Sequence, residues 1–130
     1  MSRAFLDSHV AFWIARGSHE LSSLVVASIN RHTQRSISAL TFTEFEMKSR
    51  FRAGFDLIAF KRDLDSHYIA IEPYGVDAAL TVTRFPSLAN HDPFDRMIFA
   101  QAASRPNTTF YTADRKLLEL GLDWVVDARG

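Results

Sequence analysis

The stretch His91–Ala102, HDPFDRMIFAQA, sets two acids, a proline and an aromatic immediately ahead of an apolar run. Proline is favoured at the first position of a helix, because its fixed φ suits that turn and its missing N–H has no partner to lose there. That puts Asp92 at the N-cap and Asp95 in the first turn, both at the positive end of the helix dipole. Phe94, Met97, Ile98, Phe99, Ala100 and Ala102 then make the helix apolar on nearly every side, the pattern of a helix sunk in a core. Asp95 shares a line with Phe99 and Ala102, at i, i+4 and i+7, so its carboxylate points along an apolar face. A charge in that position serves either as a helix cap or as a ligand for a metal.

Working outward, Thr108–Thr112, TTFYT, is a β-rich run, followed by a short helix from Asp114 to Leu120 and a last strand, Trp124-Val125-Val126. At the other end, Ala4-Phe5-Leu6 reads as a buried strand closed by Asp7, with Ser8 capping a helix that carries Val10, Phe12, Trp13 and Ile14 and stops near Gly17. A second amphipathic helix carries Leu21, Leu24, Val25, Ala27 and Ile29. Ser36–Ser38 reads as a brief strand. Leu40 to about Arg52 reads as a helix ended by Gly54, and Asp56 to about His67 as another. Tyr68–Ile71 is a strand stopped by Pro73, and Val76–Arg84 a helix ended by Pro86. Short strands alternating with helices predict an α/β fold, a parallel sheet covered on both faces. No repeat or linker divides residues 1–130, so one domain is expected.

The chain has 130 residues, of which 47% are apolar and eleven are Phe, enough for a packed core. It contains no cysteine, which excludes disulfides, thiolate metal sites and a cysteine nucleophile. With 15 basic and 15 acidic residues the formal charge is zero, against a generic nucleic-acid sponge but compatible with a basic rim around an acidic site. Asp7 and His9 interrupt the early apolar run and no cleavage region follows, so it is not read as a signal peptide. No stretch approaches membrane-spanning length, and a cytoplasmic protein is expected.

In open α/β sheets, ligands gather where strands end at their carboxyl edge. Asp7 follows the first strand, Asp114 follows TTFYT, Glu44 lies in the helix after Ser36–Ser38, and Asp95 opens the helix before TTFYT. Acids from four distant segments are therefore expected at one edge. Oxygen ligands of this kind suit Mg²⁺ or Mn²⁺, and an ion there lowers the pKa of a bound water and offsets charge on a phosphate. Each acid also has a capping reading. Asp7 and Asp114 precede helices, Thr41-x-x-Glu44 matches a capping box with Lys48 at i+4 from Glu44, and Asp92 looks like a plain N-cap that Asp95 completes. His91 reads as a loop hydrogen-bonder, and the histidines show no zinc-site spacing.

The segments LDSH, SALTFTE, HDPFDRMIFAQA and YTADRKL resemble, in order and spacing, the motifs of PIN domains, specifically ribonuclease toxins of the VapC type. The third segment is the most specific. In that resemblance the family's acids fall on Asp7, Glu44, Asp95 and Asp114, and its two small hydroxyls on Ser8 and Thr112. Many members carry Trp where Thr43 stands, and Asp92 is an extra acid. The resemblance implies a PIN-like three-layer sandwich with a five-stranded parallel sheet, a Mg²⁺- or Mn²⁺-dependent endoribonuclease, a cognate antitoxin as partner and a homodimer.

On this reading Asp7, Asp95 and Asp114 hold the metal, Glu44 binds it or orients the attacking water, and Ser8 and Thr112 orient carboxylates or water. Arg96, Arg115 and Lys116 are candidate contacts for the phosphates of an RNA substrate. Two other readings remain open: a PIN nuclease outside toxin–antitoxin biology, acting in RNA processing, and a binding module of this fold without turnover. Growth arrest on expression tests the first and a chelator-sensitive cleavage assay the second.

Overall fold

The computed structural model describes residues 2–48 and 55–130. Strands β1 (Arg3–Leu6), β2 (Gln34–Ser38), β3 (Ala70–Glu72), β4 (Thr108–Thr112) and β5 (Val125–Asp127) form one sheet in the order β3-β2-β1-β4-β5. Every pairing is parallel. Helices α1 (Ser8–Arg16) and α2 (Ser23–Asn30) connect β1 to β2, while α3 (Leu40–Met47) and α4 (Leu57–Ser66) connect β2 to β3. Helices α5 (Val76–Thr81) and α6 (Pro93–Ala103) precede β4, and α7 (Arg115–Leu118) precedes β5.

The sheet divides the core in two because successive strand residues point to opposite faces. Ala4 and Leu6 of β1, with Tyr111 of β4, join Val10, Val25 and Phe60 from α1, α2 and α4 on one face. Phe5, between Ala4 and Leu6, and Phe110, next to Tyr111, join Ile98 and Phe99 of α6 and Leu117 of α7 on the other. All four residues of β1 are buried, as a strand covered on both faces should be. The expected α/β sandwich is therefore observed, with helices on both faces.

Helix α6 is held at both ends. Asp92 Oδ1 accepts from the amides of Phe94 and Asp95. At the other end the buried Arg3 guanidinium donates to the carbonyls of Gln101 and Ala102, matching the negative end of the dipole, and pairs with Glu72 at 2.6 Å.

Some boundaries differ from expectation, each for a local reason. The N-cap of α1 is Asp7 and not Ser8; its carboxylate accepts from the Ser8 amide, and Ser8 becomes the first helical residue. Helix α1 stops where expected, at Gly17 in the left-handed region (φ 62°). Helix α3 begins at Leu40 behind Ala39, which gives no side-chain cap, so the Thr41–Glu44 capping box does not form. Strand β3 starts at Ala70, later than read, because Tyr68 takes a left-handed φ of 57°. Helix α5 tightens to a 3₁₀ turn over Val82–Arg84 before Pro86. The far end of the helix read to Arg52, with its Gly54 stop, lies outside the described residues.

Candidate active site

The chain runs from β1 outward to β3 and then returns to the other side of β1 for β4. The crevice at such a reversal, outside the carboxyl ends of the two strands, is where open parallel sheets take ligands. Asp7 directly follows β1 and Asp114 closely follows β4, so both stand at that crevice. Helix α3, after β2, brings Glu44 from one side, and the N-terminus of α6 brings Asp92 and Asp95 from the other. Asp7, Asp95 and Asp114 line one pocket of about 330 Å³. The other wall of that pocket includes His9, Trp13 and Arg129.

Capping and convergence turn out to be compatible, because a carboxylate has two oxygens. Asp114 Oδ1 accepts from the amides of Lys116 and Leu117, while Oδ2 faces His91. Asp92 Oδ1 caps α6, while Oδ2 meets the Lys48 ammonium at 3.1 Å. Asp7 Oδ1 accepts from the Ser8 amide, while Oδ2 accepts from the Thr112 hydroxyl at 2.6 Å. In each case one oxygen serves the helix and the other the cluster.

Asp95 is the exception. It caps nothing, and its one ion-pair partner among the described residues is His91 Nε2, at 3.6 Å. Burial, with the charges of Asp7, Glu44, Asp92 and Asp114, pushes its carboxyl up to about 8. Asp7, buried at the edge of the pocket, is pushed up to about 6, chiefly by burial and against the bonds from Thr112 and Ser8. Glu44 is 1% exposed, with Oε1 accepting from Ser8 Oγ at 2.7 Å and Oε2 paired with Lys48 at 2.8 Å. Burial works against the charge on Lys48, but its bonds to Glu44 and Asp92 outweigh it and hold the ammonium above its ordinary pKa.

This donor set fits a divalent cation. Among the described residues two groups offer ligand atoms lying within 4.8 Å of one another: His91, Asp95 and Asp114, and Glu44, Asp92 and Asp95. They share Asp95. Asp7 belongs to neither group and stands one step back in the same pocket. Buried like charges that hold their protons this high gain most from a cation placed among them.

The four acids singled out in the sequence are thus brought together, with Ser8 bonded to Glu44 and Thr112 to Asp7. Arg115 and Lys116 are exposed, and Arg96 donates to the Ala89 carbonyl; the guanidinium on the pocket wall is that of Arg129. His91 does more than bond a loop. Because the carboxylate can only accept, His91 Nε2–H donates to Asp114 Oδ2, at 2.7 Å. Its spacing of i+4 from Asp95 was a signal for that placement. Trp13 and Arg129 left no such signal, because only the fold brings them to the crevice, where the Arg129 guanidinium lies 5.1 Å from the Trp13 ring centroid.

Residues 4–122 match the sequence profile of the PIN domain. Among curated proteins the chain is similar to Ribonuclease VapC22 of Mycobacterium tuberculosis (strain ATCC 25618 / H37Rv), 27% identical over 122 residues that cover 90% of this chain and 91% of that one. Among solved structures it is similar to a toxin–antitoxin complex from Klebsiella pneumoniae, at a TM-score of 0.66 and 18% identity over 96% of this chain and 97% of the other. VapBC2 from Rickettsia felis, bound to a DNA fragment from its promoter, gives a TM-score of 0.64 at 11% identity, over 95% and 96% of the two chains.

Proposed function

The chain belongs to the PIN domain family, and on that premise we propose that it is the ribonuclease toxin of a toxin–antitoxin pair, hydrolysing RNA phosphodiesters with a divalent cation. The observation that carries this reading is the ring of carboxylates around Asp95, whose own carboxyl is pushed up to about 8. An acid that only capped a helix would have amide donors; Asp95 has acids around it instead. The similarity to a named ribonuclease supports RNA as the substrate class, and the likeness to toxin–antitoxin complexes supports the toxin role.

In this reading Asp95 and Asp114 hold the ion, with His91 beside them and Asp7 reaching it directly or through water. When bound, Mg²⁺ or Mn²⁺ supplies a water of lowered pKa and positive charge opposite the scissile phosphate. An imidazole next to the acids favours Mn²⁺ more than Mg²⁺, which prefers oxygen. Thr112 holds Asp7 Oδ2, and Ser8 holds Glu44 Oε1, so neither carboxylate can rotate away from the cluster. Trp13 and Arg129 offer an indole for a base and a guanidinium for a phosphate at the mouth of the pocket. Arg96, Arg115 and Lys116 serve RNA bound further out.

The antitoxin partner is supported by large apolar side chains left exposed on three helices: Leu24 on α2, Met47 on α3 and Ile58 on α4. Exposed apolar side chains of this kind are what an amphipathic partner segment covers. The same reading gives a homodimer, which sedimentation of the purified protein tests. The chain has no described helix long and apolar enough to cross a membrane.

The deciding experiment is incubation of the purified protein with total cellular RNA in Mg²⁺, Mn²⁺ or chelator, with Asp95→Asn as control. Discrete fragments are expected only from the wild-type protein with an ion present. Equal cleavage in chelator and by Asp95→Asn overturns the proposal.

A further inference from the structure

We propose that the Lys48 ammonium is a resident cation of the acid cluster, standing where a second divalent ion would bind, so that the centre holds one ion. This rests on the metal-centre reading above. The two groups of potential ligands share Asp95, the layout expected when one carboxylate bridges two ions ~3.5–4 Å apart. The two groups are not equivalent. Among the described residues, no ammonium or guanidinium pairs with the carboxylates of the group His91, Asp95 and Asp114. The group of Glu44, Asp92 and Asp95 already holds one through two of its three members, for Lys48 Nζ lies 2.8 Å from Glu44 Oε2 and 3.1 Å from Asp92 Oδ2.

An ion bound by those same two oxygens, at ~2.1 Å from each, would have to take the space that Nζ fills. Like charge as well as volume keeps it out. The ammonium is held there by three features. Lys48 follows Glu44 by four residues at the end of α3, so the pair forms within one turn. Asp92 is immobilised as the cap of α6. The Phe94 ring lies beneath the charge, its centroid 5.8 Å from Nζ. Glu44 needs this partner in any state of the site, because a buried carboxylate left unpaired is strongly unfavourable. With Oε1 on Ser8 and Oε2 on Lys48, Glu44 acts as the anchor of Lys48 and as a positioning residue, and the ion falls to the group around His91.

The test counts bound Mn²⁺ by equilibrium titration with electron paramagnetic resonance detection of the free ion. The wild-type protein is compared with Lys48→Gln, Lys48→Met and Lys48→Arg. One ion is expected in wild type and Lys48→Arg, and two in Lys48→Gln and Lys48→Met. Adding Asp92→Asn to Lys48→Gln is expected to return the count to one. Two ions in the wild type, or one in both neutral variants, overturns the resident-cation proposal. No ion in the wild type overturns the metal-centre reading beneath it. The wild-type count needs no variant to fold, and a spin-coupled signal from paired Mn²⁺ in that sample is a second route to the same refutation.

Discussion

The Thr112 hydroxyl donates to Asp7 Oδ2 at 2.6 Å, joining the end of β4 to the end of β1 across the seam where the sheet reverses. Thr112 Oγ1 in turn accepts from the Asp114 amide at 3.0 Å. One buried side chain therefore sets the spacing of two acids that are far apart in the chain.

Thr112→Val is expected to lower RNA cleavage by about 10–100-fold, the usual cost of losing a partner that orients a ligand. A bond donated to the charged form lowers a carboxyl's pKa, so its loss raises that of Asp7. The acid limb of the pH–rate profile should move to higher pH, and Thr112→Ser should restore it. A profile that keeps its position while activity falls would mean that Thr112 only packs.

Without an ion the protein should lose stability as pH rises. Asp95 titrates near 3.8 when unfolded and at about 8 when folded. Between those values the folded state holds a proton that the unfolded state has released, so unfolding is increasingly favoured up to about pH 8 and the slope then levels. Asp7 adds a smaller contribution over 3.8 to about 6. Asp95→Asn should flatten this dependence and raise Tm at pH 8 in chelator, while abolishing cleavage. A lower Tm in the variant at that pH contradicts the clustering of charge.

Asp114 separates capping from site chemistry. Asn is as good an N-cap as Asp, so Asp114→Asn should keep the metal-free Tm close to wild type while cleavage is lost. Asp114→Ala should lose cleavage and also about 1 kcal/mol of stability, as a helix start without its cap does. Thermal melts and cleavage assays on the same two samples read both effects. Full activity in Asp114→Asn would confine this residue to helix α7.

His91→Ala should weaken Mn²⁺ binding by about 10-fold, with a smaller effect on Mg²⁺, because an imidazole nitrogen counts for more with the softer ion. Calorimetric titration of each ion gives the ratio. Equal loss for both ions would leave His91 as an orienting partner of Asp114 only.

Much of the architecture is written in local patterns. The two-residue alternation of Ala4-Phe5-Leu6 and of Phe110-Tyr111 assigns each side chain to a face of the sheet. Pro93 behind Asp92 marks where α6 begins, and Gly17 marks where α1 ends. These signals survive into the fold because each depends on neighbours within a turn or a strand. The acids were legible for the same reason, since each sits next to a recognisable strand end or helix start.

What the acids do to one another was not legible. Asp114, read as a cap, and Asp95, read in a first turn, both stand at helix starts, yet only Asp95 of the two is left without amide partners and ringed by charge. Lys48 reads as an ordinary i+4 partner of Glu44, and its second bond, to Asp92, crosses from α3 to α6. Arg3 gives no hint in β1 that it will close the far end of α6. Backbone pattern is encoded by residues near in sequence, and the chain reports it directly. Proton affinity, cation placement and pocket walls depend on distances between segments, and those exist only once the sheet has brought the segments together.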